Sequence, residues 1–319
     1  MNPSDLPLIP VKTCREVHGI CAAYLPWKPV GRIDFDSFAK VLDAIWNAGL
    51  TPAINMDTGF ANLLSESQRW DVLRFAKAMS LDRPMVSGVF VNDRPGDCVS
   101  HYLSQVDAIA AMGAMPILFQ CLDLVRRPEP DIVRIYEQIG KLGIDFLAFE
   151  LGAMFAEFGA IYSLECFAEL IKIPHMKGLK HSSLSRELEW RRLAIRDLHR
   201  PDFRVYTGND LAIDMVQWGS DYLLGLSAFF PEAFARRDHY WRSGDRRFYA
   251  INDALQLLGG FSFRAPVPAY KHNAAMTLAM RGVIACDAMH PDAPSRPPSD
   301  REFLAWIIER IEGFMADEV

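Results

Sequence analysis

The chain has 319 residues, half of them hydrophobic, and a formal net charge of −6. That is enough sequence for one large buried core, and an acidic balance without a basic block argues against nucleic acid or an anionic membrane as partner. No apolar run approaches the length that spans a bilayer, and Met1-Asn2-Pro3-Ser4-Asp5 lacks the charged and apolar regions of a signal peptide.

Residues 1–17, with three prolines, read as an extended N-terminal arm. Gly19–Leu25 is a short apolar run, and Pro26 to Gly31 turns the chain. Asp34–Ala48 places Phe35, Phe38, Val41, Leu42, Ile45 and Trp46 at helical spacing and closes on Gly49. The same β-then-α unit recurs. Thr51–Asn55 is strand-like, Asp57-Thr58-Gly59 is a turn, and Ser65-Glu66-Ser67-Gln68 has capping-box spacing for a helix to about Met79. Strands are expected at Met85–Val91, Met115–Cys121, Asp145–Leu151, Met176–Lys180, Arg204–Thr207 and Tyr222–Ala228. Helices are expected at Ser100–Met112, up to Leu142, up to Ile171, at Arg186–Asp197 and at Asp210–Trp218.

About eight strand-like runs spaced by helix-sized segments are the signature of a closed parallel barrel. A doubly wound open sheet would also alternate, but no G-x-G-x-x-G follows the first strand. The expected architecture is a (β/α)8 TIM barrel over residues 18–230, with additional C-terminal helices over 231–319 packed on it. In that tail Pro231–Arg242, Asp245–Leu258, Val267–Arg281 and Arg301–Met315 are helical in pattern, and Cys286–Asp300 reads as a linker. The cluster Arg236, Arg237, Arg242, Arg246 and Arg247, interleaved with aspartates, reads as a solvated, salt-bridged face. The six cysteines show no C-x-x-C pair and the eight histidines no H-E-x-x-H. Buried thiols in a reducing cytoplasm are expected, and no metal site.

Lys180 ends an apolar run and is followed by small polar residues, which puts its amine at a strand's carboxyl end, where barrels keep their chemistry. Desolvating an ammonium there is costly, so the free amine is favoured and becomes able to attack a carbonyl. The plain alternative is a lysine that ends a strand and points into water. Asp57, at the end of the second strand, reads as a general base, a holder of a substrate hydroxyl, a partner for Lys180, or an ordinary Asx turn. Strand alternation turns Glu150 and His181 away from Phe149 and Lys180, toward the helices. Gln120 and Asp123, after the fourth strand, are further candidates for substrate contact.

Several motifs carry a family resemblance. Gly178-Leu179-Lys180-His181-Ser182-Ser183 resembles G-[IL]-K-[DE]-[SA]-[ST]. Tyr206-Thr207-Gly208-Asn209-Asp210 resembles an S-G-D-D turn, and Met56-Asp57-Thr58-Gly59-Phe60 stands where G-T-T-G-E is found. Ala265 through Lys271 resembles N-P-x-P-x-K. In this order the motifs resemble the dihydrodipicolinate synthase / N-acetylneuraminate lyase superfamily of Schiff-base aldolases, over nearly the whole chain. The resemblance implies that Lys180 forms the Schiff base with a small oxo-acid or related carbonyl substrate. It also implies a cytoplasmic lyase, a homo-oligomer (dimer or tetramer), and neither a metal nor an organic cofactor.

The departures are as specific. Phe149 stands at the family's fifth-strand tyrosine and lacks the hydroxyl that relays protons. The arginine some members place a few residues later falls near Met154 or Phe155. Asp57 replaces the first threonine of the pair that cradles a carboxylate and would repel one. Lys180 and Asp57 are therefore the expected catalytic residues, and Thr58, Gly59, Phe149, Tyr206, Gly208, Asn209 and Ser227 the expected substrate contacts. The alternatives are a ligand-binding or regulatory descendant without catalysis, and a dehydratase or hydratase using the same imine.

Overall fold

Among the described residues, five of the βα repeats begin as a short, largely buried strand and pass to a helix started by a side-chain cap, from Asp34, Ser65, Asp97, Ser163 and Ser185. In the computed structural model, which describes residues 9–153 and 155–316, β1 (Gly19–Ala22) is followed by a small hairpin of Trp27–Lys28 and Arg32–Ile33, then α1 (Phe35–Asn47). The Asp34 carboxylate accepts from the Ser37 amide and starts α1, and Gly49 at φ +78° takes the left-handed position that ends it. Next come β2 (Thr51–Ile54) and α2 (Glu66–Ser80), the latter opened by the Ser65–Gln68 capping box. The remaining barrel units are β3 (Val86–Val89), α3 (Cys98–Ala111), β4 (Met115–Leu118), α4 (Glu129–Gly140), β5 (Phe146–Leu151), α5 (Leu164–Leu170), β6 (Met176–Ser182), α6 (Arg186–His199), β7 (Arg204–Thr207) and β8 (Asp221–Leu224). The tail holds α7 (Pro231–Ser243), α8 (Arg247–Ser262), α9 (Tyr270–Met280) and α10 (Asp300–Ala316).

Among the described residues the eight parallel strands close into a barrel in the order β1-β8-β7-β6-β5-β4-β3-β2, so the fold is the (β/α)8 TIM barrel with additional C-terminal helices. No helix among them is long and apolar enough to cross a membrane. Residues 1–8 of the expected arm, and Met154, lie outside the described residues. The chain divides into two compact units: Val86–Tyr222 with the described residues before Cys14, and Cys14–Met85 with the described residues from Leu223 onward.

In the first unit the register aligns Phe149, Lys180 and Tyr206 across β5, β6 and β7, and Glu150, His181 and Thr207 one position further on. Successive residues face opposite sides of a strand. The arm's Lys12 is tied down here, its amide donating to Gln217 O at 2.7 Å and its amine to Asp197 at 2.5 Å.

In the second unit α7 packs on α1, and α10 packs on α8 and α9. The Phe261 and Phe303 rings stack at 4.1 Å, and Arg264 grips the Asp300 carboxylate through two contacts of 2.6 and 2.7 Å.

Three expectations need correction. Strand eight stops at Leu224, because the chain turns at Gly225 into a 3-10 turn over Leu226–Ala228. The Asp210–Trp218 helix is a 3-10 segment, Ile213–Trp218. Arg237 is not solvated: it is fully buried, bonded to Asp238, and its guanidinium lies 4.7 Å from the Phe234 ring centroid.

Candidate active site

In the first unit, Lys180 sits near the end of β6 with 8% of its surface exposed, and its Nζ stands 4.1 Å from the Phe149 ring centroid. The direction of both side chains follows from their neighbours. Glu150 and His181, the next residues along, point to the helix side: His181 Nδ1 meets Glu150 Oε1 at 2.6 Å, and Arg192 of α6 binds both carboxylate oxygens at 2.6 and 3.1 Å. A carboxylate only accepts, so Nδ1 carries the proton and Nε2 is left to meet the Ser183 hydroxyl at 2.6 Å. Phe149 and Lys180 therefore project from the opposite side of the wall, into the barrel.

This buried cluster is charge-balanced. Burial pushes the Glu150 carboxyl up, but Arg192 and His181 outweigh burial and hold it below the usual range. On the same side burial pushes Glu189 up. It accepts hydroxyl bonds from Thr207 and Ser220. The expectation that Glu150 and His181 face away from the amine matches this geometry, and their bonding holds the backbone on which Lys180 is mounted.

Beside the lysine, Tyr206 is buried, and its phenol is pushed up by that burial. Gly208 is the residue that makes room. A Cβ there would overlap Ser182 Oγ and come within 2.7 Å of Lys180 Cε. Asn209 has a local task, its side-chain oxygen accepting from the Leu211 amide at 3.0 Å. Gln120 is likewise committed: its amide brackets Ala160, donating to the carbonyl at 2.8 Å and accepting from the N–H at 2.9 Å. Asp123 pairs with Arg127 at 2.8 Å and accepts from the Cys98 amide. Gln120 and Asp123 thus hold loops together.

In the second unit, Asp57 and Thr58 belong to a 3-10 turn after β2. Asp57 is engaged by two residues that sequence reasoning passed over. Lys271, only 3% exposed, donates to one carboxylate oxygen at 2.9 Å, and the Tyr270 hydroxyl donates to the other at 3.0 Å. Tyr270's single proton is used there, so the Thr58 hydroxyl at 2.9 Å donates to Tyr270. The result is a continuous chain from Thr58 through Tyr270 to Asp57. Gly225 completes it, since a Cβ there would press on Thr58 Oγ1 at 3.0 Å and on the Tyr270 ring at 3.1 Å. A Cβ on Gly59 would come within 3.2 Å of Ala23 O. Ser227 is fully buried and donates to Leu224 O at 2.8 Å within its own turn.

A scan of protein-family models and a search of curated proteins match nothing to this chain. Solved structures do match. A monomeric dihydrodipicolinate synthase variant is 17% identical, covers 95% of this chain and 98% of its own, and has a TM-score of 0.79. A prophage protein of the dihydrodipicolinic acid synthase family from E. coli K12, in complex with pyruvate, is 16% identical over 92% of this chain and 98% of its own, TM-score 0.78. Dihydrodipicolinate synthase from Thermotoga maritima is 16% identical over 94% of this chain and 100% of its own, TM-score 0.78. The fold is that of the dihydrodipicolinate synthases, the group of proteins that the sequence motifs also resemble.

Proposed function

We propose that the chain is a divergent lyase of the dihydrodipicolinate synthase and N-acetylneuraminate lyase type, in which Lys180 forms an imine with a small carbonyl substrate. The observation that carries this reading is the position of Lys180: nearly buried, near the end of β6, projecting into the barrel with its stem packed where a side chain on residue 208 would otherwise stand. In the proposed reaction the Lys180 nitrogen attacks the carbonyl carbon. The carbinolamine loses water, and the protonated imine draws electrons from the adjacent bond. Structural neighbours that bind pyruvate, from E. coli K12 and Acinetobacter baumannii, support a 2-oxo acid as the first compound to test.

Phe149 cannot relay protons, so this reading gives that work to water, the substrate or Asp57. The chain Thr58–Tyr270–Asp57 offers Asp57 a hydroxyl route for a proton. Thr58, Gly59, Tyr206, Gly208, Asn209 and Ser227 remain proposed contacts, although the hydroxyl of Ser227 and the amide of Asn209 already have local bonds. A homo-oligomer is part of the same proposal and is read by sedimentation velocity.

The test is hydride reduction of the intact protein with a panel of 2-oxo acids and aldehydes, followed by mass spectrometry. A mass gain equal to the reduced adduct, lost in Lys180→Arg, supports the lyase. Phe149 favours one second reading, a binding protein without turnover, and absence of any adduct across the panel would support that instead.

A further inference from the structure

Lys180 is the end of a row. Val89 and Leu118 are register partners, as are Leu118 and Ala148, so the next residues, Phe90, Phe119 and Phe149, also lie side by side. Their rings form a continuous edge-to-face ladder, with centroids 5.6 Å apart for Phe90–Phe119 and 4.9 Å for Phe119–Phe149. The Lys180 nitrogen is the next member, 4.1 Å from the last ring. All three rings are almost fully buried, and none offers a hydrogen-bond donor.

This arrangement constrains what can be bound to the nitrogen. An imine bond is about 1.3 Å long, so the carbon attached to Nζ lies within about 5.4 Å of the Phe149 centroid. A substituent on the Phe149 side of that carbon meets an aromatic surface. A carboxylate placed there would lose water, gain no donor, and face the negative side of a ring quadrupole. An aryl group there whose centroid lies 4.5–7 Å from that of Phe149 is attracted to it and extends the ladder by one member.

Resting on the imine reading above, we propose that the substrate of Lys180 is a carbonyl compound with an aryl group within one or two bonds of the reacting carbon. Phe149, in place of the tyrosine expected from the family motif, is then the residue that sets this preference. Phe119 backs it.

The experiment is hydride trapping on the full chain, titrating phenylpyruvate and benzaldehyde against pyruvate and glyoxylate, with the modified peptide located by mass spectrometry. The expected result is half-maximal labelling of Lys180 by phenylpyruvate at a concentration at least ten-fold below that for pyruvate. Phe149→Leu narrows that ratio. Phe119→Leu, with folding checked by circular dichroism, serves if the first variant does not fold. Labelling of Lys180 by pyruvate as readily as by phenylpyruvate overturns the aryl preference and leaves the imine standing. Labelling of Lys180 by none of the four removes the imine, and the aryl proposal with it.

Discussion

Phe149 and Lys180 are register partners on neighbouring parallel strands, and the amine of one stands 4.1 Å from the ring centroid of the other. One residue further on, Glu150 and His181 repeat the pairing on the other side of the wall with a 2.6 Å hydrogen bond. The alternation of a strand thus separates a polar, charge-balanced anchor from an apolar face bearing one amine. Mutations on the two sides have different consequences.

On the apolar side, Gly208→Ala drives a methyl group against Lys180 Cε and Ser182 Oγ. Overpacking of this kind costs about 1–3 kcal/mol, read as a shift in the urea midpoint. Displacement of the lysine lowers hydride trapping at least ten-fold. Unchanged trapping would show that the lysine does not need the space.

On the helix side, Arg192→Met leaves the Glu150 carboxylate buried without its guanidinium, bonded to the His181 ring and the Tyr162 amide. Removing one partner of a buried pair costs about 3–5 kcal/mol. The double variant Arg192→Met with Glu150→Leu recovers much of that loss, since no isolated charge remains. Equilibrium unfolding of both variants measures the difference.

Asp57→Asn removes the counter-charge of Lys271, whose side chain is almost fully enclosed. Asp57 itself is part-exposed, so the loss is that of a charge-assisted hydrogen bond, about 1.5–3 kcal/mol. Lys271→Met in the same background is expected to restore part of the stability, again by urea titration. A catalytic role for Asp57 adds a fall in turnover that this second change does not reverse.

Asp300 gives a pH signature. Burial pushes its carboxyl up, but Arg264 and Asn273 outweigh burial and hold it below the usual range. A carboxyl depressed by folding contributes stability that is fully present above its unfolded pKa, about 3.9. That contribution is lost as the pH falls through the lower folded value. The stability gap between the wild type and Asp300→Asn is therefore constant from about pH 5 to 8 and closes below about pH 4, measured by chemical denaturation across that range.

Much of this is legible in the sequence alone. Alternating strand and helix patterns are periodic, so the barrel, the Ser65–Gln68 capping box and the outward turn of Glu150 and His181 follow from spacing alone. Strand eight was overrun because Leu226, Ser227 and Ala228 are as buried as the strand itself, and a buried apolar run has the same composition in either geometry. Arg237 was misplaced because charge pattern cannot show a guanidinium laid against a ring. Tyr270 and Lys271 were missed as partners of Asp57 because they lie 213 and 214 positions away along the chain. No spacing rule spans that distance.

Two nearly buried lysines, Lys180 near the end of β6 and Lys271 bonded to Asp57, let one experiment separate the central claim from its simplest competitor. The direct measurement is peptide mapping of the wild-type protein after hydride reduction with a saturating carbonyl compound. The account predicts one adduct per chain, on the peptide containing Lys180, and an unmodified Lys271. An adduct on Lys271 with Lys180 untouched would contradict it.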